Sequence, residues 1–316
     1  MNSNEDTLVR AYTSEDASLW DRFVVASRNG TFLHMRPYLG YHADRFPDSS
    51  LMLYIRGRLV ALLPASLRGS VLFSHQGLTY GGLIVGRDFH ASDAIPAFEA
   101  IASWALAQGL TSLYYKPVPH IYHRMPAEED LYAIARLGGR LVRRDLSTTL
   151  LLSDRYAYSK GRKAAVAKAL RGSLEVRVSD DYDAFMAIEA QHLADKYGVA
   201  PVHVAEEIKL LTNRFPANIR LIGAFYDQHM LGGVLTYTTD TVCHAQYIGA
   251  TMEGKLKGAL DACIDSILNS IPAGIRWFDF GISTTDEGRH LDEALLGNKE
   301  SWGGRSVVYD QYELVF

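Results

Sequence analysis

The side chains whose types suit chemistry fall in a few short stretches. Lys116-Pro117-Val118-Pro119-His120-Ile121-Tyr122-His123-Arg124-Met125-Pro126 packs cations, imidazoles and a phenol between prolines. Prolines at that density prevent regular structure and stiffen a loop. A stiff loop holding Lys116, His120, Tyr122 and His123 can present hydrogen bonds to a polar ligand. No metal is expected there: the prolines forbid the helix that would align His120 and His123 with Glu128 or Glu129, and no third histidine is near. Ser74-His75-Gln76-Gly77-Leu78-Thr79-Tyr80-Gly81-Gly82 sets His75, Gln76 and Tyr80 beside glycines that permit close backbone approach. It reads either as a bulged strand or as the wall of a pocket. Asp279, in Phe278-Asp279-Phe280-Gly281, stands at a strand's end, a frequent place for function. Arg155 to Arg171 holds cations and no acid. It reads either as a solvated surface helix or as an anion site for phosphates. Cys243-His244 is not a thiol–imidazole pair, because adjacent strand residues point to opposite faces.

The elements that must position these groups follow from periodicity. Ile219 to Phe225, Leu231 to Tyr237 and Val242 to Ile248 read as three strands, with turns at Asp227-Gln228 and Thr239-Asp240. A helix then opens at Glu253-Gly254-Lys255, with Leu256, Leu260, Cys263, Ile264, Ile267 and Leu268 as its buried stripe. Pro272-Ala273-Gly274 stops it, and Ile275 to Phe280 makes the next strand. The same order occurs earlier. Ser50 to Arg56, Leu59 to Leu67 and Val71 to Gln76 are strands. A helix with Ile95, Phe98, Ala102 and Ala105 on one face follows, and Ser112 to Tyr115 is the strand after it. The order implies an internal duplication that sets Gly57-Arg58-Leu59-Val60 against Gln228-His229-Met230-Leu231. Two domains are expected, residues 1–153 and 154–316. In the second, helices at Asp181 to Lys196 and Ala205 to Arg214 precede the meander, joined by a loop from Tyr197 to His203.

The bulk properties bound the class. A chain of 316 residues, 48% hydrophobic and 22% charged, suits two globular domains. A formal net charge of −4 gives no attraction for nucleic acid over the whole protein. The two cysteines, Cys243 and Cys263, both lie in apolar elements, which argues against a disulfide scaffold and fits a reducing compartment. No signal peptide is visible in the sequence, and no stretch approaches the roughly 20 apolar residues that span a bilayer. A cytoplasmic protein without membrane insertion is expected.

The stretches Leu33 to Phe46, Ser74 to Gly82, Lys116 to Asp130, Trp277 to Ser283 and Lys299 to Arg305 carry a resemblance. The chain resembles the GNAT superfamily, in its tandem-domain branch of Fem-type aminoacyltransferases and the GNAT proteins of surface-polysaccharide gene clusters. The resemblance spans nearly the whole chain. It implies an α/β fold of two GNAT-like domains, each a mixed, mostly antiparallel sheet flanked by helices. It implies transfer of an acyl group to an amine by direct attack, with no covalent enzyme intermediate. Phe278 to Gly281 and Lys299…Gly303-Gly304 look like the closing pattern of the second Fem-type domain, which makes Lys299 the match of an active-site lysine.

The resemblance also departs from pattern. Acetyl-CoA-binding GNAT domains carry Gln/Arg-x-x-Gly-x-Gly/Ala after the fourth strand. Here Lys255-Leu256-Lys257-Gly258-Ala259-Leu260 stands there, with lysine first and Leu260 where a small residue belongs. Backbone amides at a helix start can still hold a phosphate, so Gly254, Lys255, Lys257 and Gly258 are the expected donor site, with acetyl-CoA or another acyl-CoA as co-substrate. The counterpart in the first half, Arg87 to Ser92, fits worse, and donor binding is expected in the second domain alone. For the chemistry, Asp279 or His203 is the expected base and Lys299 the group that steadies the oxyanion or a substrate phosphate. Gln246 and Tyr247 are expected to line the cleft, Tyr247 beside the donor. The acceptor is expected between the domains, near His75, Gln76, Tyr80, Lys116, His120, Tyr122, His123, Tyr197 and Gln246. Its expected class is an amino sugar, a nucleotide-linked amino sugar or a related cell-envelope precursor. Alternatives are a Fem-type transferase using aminoacyl-tRNA, and a non-catalytic binding protein on a decayed GNAT pair. The sequence is silent on oligomeric state.

Overall fold

A computed structural model describes residues 7–316, except the side chains of residues 196 and 197. The chain forms two compact units. The first runs up to Asp145 and adds Asp286–Arg289 and Val308–Phe316, and the second holds Leu146–Thr285 and His290–Val307.

In the first unit the elements are β1 (Thr7–Ala11), α1 (Ala17–Ala26), α2 (Arg36–Leu39), β2 (Leu51–Ile55), β3 (Arg58–Leu63), β4 (Ser66–Arg68), β5 (Val71–Phe73), β6 (Ile84–Val85), α3 (Ala91–Ala107), β7 (Ser112–Tyr115), α4 (Glu129–Arg136) and the first half of β8 (Arg140–Leu151). β1, β2, β3 and β6 form one antiparallel sheet. β4 pairs antiparallel with β5, β5 parallel with β7, and β7 antiparallel with the C-terminal half of β16 (Arg305–Val315). The core gathers Leu51, Leu53, Leu63, Leu72, Phe98, Ile101, Leu113 and Tyr115.

The sequence places one strand over Leu59 to Leu67, whereas β3 ends at Leu63 and β4 starts at Ser66. Pro64 sits in the break and has no N–H to continue a ladder. The strand expected to reach Gln76 stops at Phe73, two residues before His75, which turns to φ 64°. The buried face of α3 is Ala94, Ala97, Phe98, Ile101 and Ala105. Ile95 and Ala102, expected on that face, are half-buried.

The second unit continues with α5 (Lys160–Arg171), β9 (Glu175–Ser179), α6 (Tyr182–Tyr197), α7 (Ala205–Arg214), β10 (Ile219–Tyr226), β11 (His229–Thr238), β12 (Val242–Ala250), α8 (Met252–Lys257), α9 (Ala259–Ser270), β13 (Trp277–Ile282), β14 (Thr284–Thr285), β15 (His290–Leu291) and α10 (Glu293–Glu300). β9, β10, β11 and β12 run antiparallel in that order, β12 pairs parallel with β13, and β13 pairs antiparallel with β8. Cys243, Ala245, Phe278 and Phe280 face α9 through Cys263, Ile264 and Ile267.

The expected single helix after β12 is two helices. Gly258 takes φ 77° between α8 and α9, a conformation that costs glycine little. The break releases Leu256 from the expected buried stripe: it is 72% exposed, while Cys263, Ile264, Ile267 and Leu268 are buried. The two aligned hairpin turns share a backbone. Arg56 and Gly57 have φ 50° and 75°, and Asp227 and Gln228 have φ 47° and 66°. Two successive positive φ values match the right-handed twist of the flanking strands.

Candidate active site

The second unit gathers its polar groups where one strand pair parts. The β12–β13 ladder holds only Val242↔Trp277, Cys243↔Phe278 and His244↔Asp279, although β12 runs on to Ala250 and β13 to Ile282. Phe278 and Phe280 face α9, so Asp279 points to the opposite side, and so does His244. Asp279 is 0% exposed. Its carboxylate accepts from Ser147 Oγ at 2.6 Å, from His244 Nδ1 at 2.9 Å and from the Gly281 amide at 2.9 Å. Gly281 has φ 77°, and a Cβ there would lie 3.4 Å from His244 Cε1, so the turn after β13 closes against the imidazole. With Nδ1 donating to the carboxylate, the neutral ring carries its lone pair on Nε2.

Lys299, near the C-terminus of α10, is buried. Its ammonium donates to Gly281 O at 2.8 Å and Ile282 O at 2.7 Å, which pins the turn that follows Asp279. Sequence reasoning joins Asp279 and Lys299 in one site, and here they meet through that turn.

A β-bulge lies farther along β12. Leu235 pairs with Tyr247 and Thr236 with Ala245, leaving Gln246 as the extra residue. The extra residue shifts side-chain parity. Cys243 and Ala245 face α9 before it and Ile248 faces α9 after it, so His244, Tyr247 and Gly249 share the other face. Tyr247 meets His203 there, with Tyr247 Oη and His203 Nδ1 2.6 Å apart. Burial pushes the Tyr247 hydroxyl up to about 12, so it keeps its proton.

Glu189 of α6 covers the same face. It is 4% exposed, and Oε2 has no hydrogen-bond partner among the described residues. A Cβ at Gly249 would come within 2.5 Å of that oxygen. Burial alone pushes Glu189 up to about 7. Neither His244 nor Glu189 is among the residues singled out from sequence. Rejecting Cys243-His244 as a pair drew attention from His244, whose partner lies on a different strand. Glu189 carries a faint signal: an acid in the middle of a helix among Met186, Ala187, Ile188 and Ala190.

The remaining donor candidates sit on α8. Gly254 is buried in the helix, with its amide donating to Thr251 Oγ1 at 3.0 Å, and the Lys255 amide donates to Thr251 O at 2.9 Å. Lys255 Nζ lies 3.5 Å from His192 Nδ1. Lys257 pairs with Glu253 and stacks over Tyr226. A Cβ at Gly258 would lie 2.8 Å from Ala169 Cβ of α5. Within the basic stretch, Arg162 pairs with Asp261 and stacks on Trp302, while Lys160, Lys163, Lys168 and Arg171 are exposed. The side chain of Tyr197 lies outside the described residues.

In the first unit the candidates form a largely buried layer. The Lys116 ammonium donates to the carbonyls of Gln76 at 3.4 Å and of Leu78, stapling the stretch from Ser74 to Gly82. Burial, aided by Arg143, pushes Lys116 down to about 7. His75 is buried, its ring 5.0 Å from that of His42, and burial pushes it down to about 2. The Gln76 amide donates to Ser66 Oγ. Tyr80 lies 4.5 Å from Tyr122, whose hydroxyl oxygen is 3.1 Å from that of Tyr309. His123 Nε2 lies 2.8 Å from Val118 O, and burial pushes the ring down to about 4. His120 is exposed, and Glu129 pairs with Arg28 at 2.8 Å. No group of three metal-ligating side chains and no helix long and apolar enough to cross a membrane occurs among the described residues.

No protein-family model matches the sequence, and a search of curated proteins gives no match. Solved structures are similar in fold. FemX gives a TM-score of 0.70 at 10% identity, covering 98% of this chain and 97% of its own. A conserved protein of unknown function from Bacteroides thetaiotaomicron VPI-5482 gives 0.62 at 11% identity, over 98% and 99%. A tandem GNAT protein from the clavulanic acid biosynthesis pathway gives 0.54 at 13% identity, over 98% of each chain. In fold, then, the chain is similar to FemX and to the tandem GNAT protein.

Proposed function

We propose that the second unit is an N-acyltransferase centre. It moves an acyl group, first of all acetyl from acetyl-CoA, to the amine of an amino sugar, a nucleotide-linked amino sugar or a related cell-envelope precursor. One observation carries the reading: the parallel ladder ends at His244↔Asp279, and buried Asp279 holds the imidazole there with Nε2 left to accept a proton. The amine nitrogen attacks the thioester carbon, a C–N bond forms and the C–S bond breaks. Sulfur leaves with the electron pair as a thiolate and takes a proton from solvent, to which His244 returns the proton that Nε2 accepts from nitrogen. A positioned base of this kind contributes about 10²–10⁴-fold. Asp279 fixes the tautomer, and Lys299 holds the turn that presents Gly281 to the ring. The base role goes to His244, the imidazole whose Nδ1 faces a buried carboxylate. A CoA thioester donor is supported by the likeness to the clavulanic-pathway protein, whose structure is described as lacking AcCoA. We place its pyrophosphate along α8 from Gly254 to Gly258, held by the charge of Lys255 and Lys257 rather than by the amides of Gly254 and Lys255, which Thr251 takes.

A second reading, transfer from aminoacyl-tRNA, is favoured by the amides of Gly254 and Lys255, which Thr251 already occupies. The test is free-thiol release from acetyl-CoA with a panel of amino sugars and nucleotide-linked amino sugars. Release that needs both substrates is the expected result. Silence across the panel, with amide formed from aminoacyl-tRNA, moves the function to the second reading. Silence with both donors leaves a binding protein.

A further inference from the structure

The carboxylate of Glu189 has no task in the scheme above, and its surroundings are costly. It lies 96% buried on the face of β12 that carries His244 and Tyr247, with one oxygen that meets no donor among the described residues. Buried carboxylates are ordinarily paired or hydrogen-bonded, because stripping water from an unmatched charge costs several kcal/mol. The Tyr247 hydroxyl, on the same face, is committed to His203. The strand opposite is shaped to receive the acid: any residue larger than glycine at 249 would drive its Cβ to 2.5 Å from Oε2. A core position served only by packing would hold leucine or glutamine at less cost.

We propose that Glu189 is an ammonium-binding subsite, and that the ligand of this unit carries a primary amine recognised in its protonated form. The inference rests on the transferase reading and sharpens its substrate class. A primary ammonium donates to the carboxylate and supplies the missing counter-charge. A hydroxyl would supply no charge, and an amide neither charge nor a strong donor. Burial holds Glu189 near 7 in the empty protein, so a bound cation draws it into the charged form at neutral pH. Two sources fit the chemistry: the amine of an acceptor, or the α-ammonium of an aminoacyl donor.

Calorimetry with matched pairs tests this without turnover. The acceptor pair is glucosamine and N-acetylglucosamine, and the donor pair is an alanyl-adenosine amide and its propionyl counterpart. At pH 8 the wild-type protein should bind the ammonium member of one pair at least tenfold tighter, and that pair names the source. Glu189→Gln, which keeps shape and removes charge, should erase the gap with no loss of melting temperature. Gly249→Ala should erase it as well. The proposal is overturned by equal or absent binding within both pairs in the wild type, or by a gap that survives Glu189→Gln. An ammonium preference without acyl transfer would keep this subsite and remove the CoA donor. Transfer without the preference would do the reverse.

Discussion

His244 and Asp279 are partners on the last rung of the β12–β13 ladder, with Nδ1 donating to Oδ2 at 2.9 Å. The rung does two things. It ends the pairing, so that the strands beyond it are unbonded to each other, and it fixes a histidine by a carboxylate that no solvent reaches. In the proposed transfer this makes the imidazole a base in one tautomer.

His244→Ala should lower the turnover of an accepted amine about 10²-fold or more, the usual scale of a positioned base. Asp279→Asn should lower turnover as well, because an amide cannot accept all three of the donors now on the carboxylate. Melting curves of both variants separate lost chemistry from lost fold, and a folded His244→Ala that keeps wild-type turnover would exclude His244 as base.

Lys299 acts on the fold as well as the site. Lys299→Met removes the charged donor that the carbonyls of Gly281 and Ile282 share, and should cost about 1–3 kcal/mol in chemical denaturation. Lys299→Arg should recover part of that loss. An unchanged midpoint in Lys299→Met would show that the turn needs no staple.

Much of this arrangement is legible in the sequence. The meander from Ile219, the strand at Asp279 and the duplicated hairpin turn follow from alternation and turn chemistry, which are local. What is not legible depends on register and on distant partners. The bulge at Gln246 puts His244 and Tyr247 on one face, and no pattern of apolar residues reveals which residue of a strand is the extra one. Leu256 fits a helical stripe with Leu260 and Cys263, yet Gly258 breaks the helix between them. Lys116 reads as a ligand contact because it opens a stiff loop rich in polar side chains, and here its ammonium donates to the Gln76 and Leu78 carbonyls. Glu189 becomes visible only when Gly249 is seen beneath it.

Stability should depend on pH in two separate windows. Lys116 has its folded value near 7, below its ordinary 10.5. The unfolded chain therefore binds more protons between the two, and stability should rise as pH rises from about 7 to 10.5. Glu189 has its folded value near 7, above its ordinary 4.5. Here the folded chain binds more protons, and stability should fall as pH rises from about 4.5 to 7. Denaturation midpoints across pH should show the first slope flattened in Lys116→Met and the second flattened in Glu189→Gln. If each variant keeps the wild-type slope in its own window, the burial assigned to that group is refuted.

The most direct test of the central claim is mass spectrometry of the small-molecule products after acetyl-CoA and an amino-sugar panel are incubated with wild-type protein and with His244→Ala. The account predicts an N-acetylated sugar in the wild-type reaction and about 10²-fold less of it with His244→Ala at equal folded protein. Equal product from the two proteins, or no acylated amine from acetyl-CoA with the wild type, would contradict it.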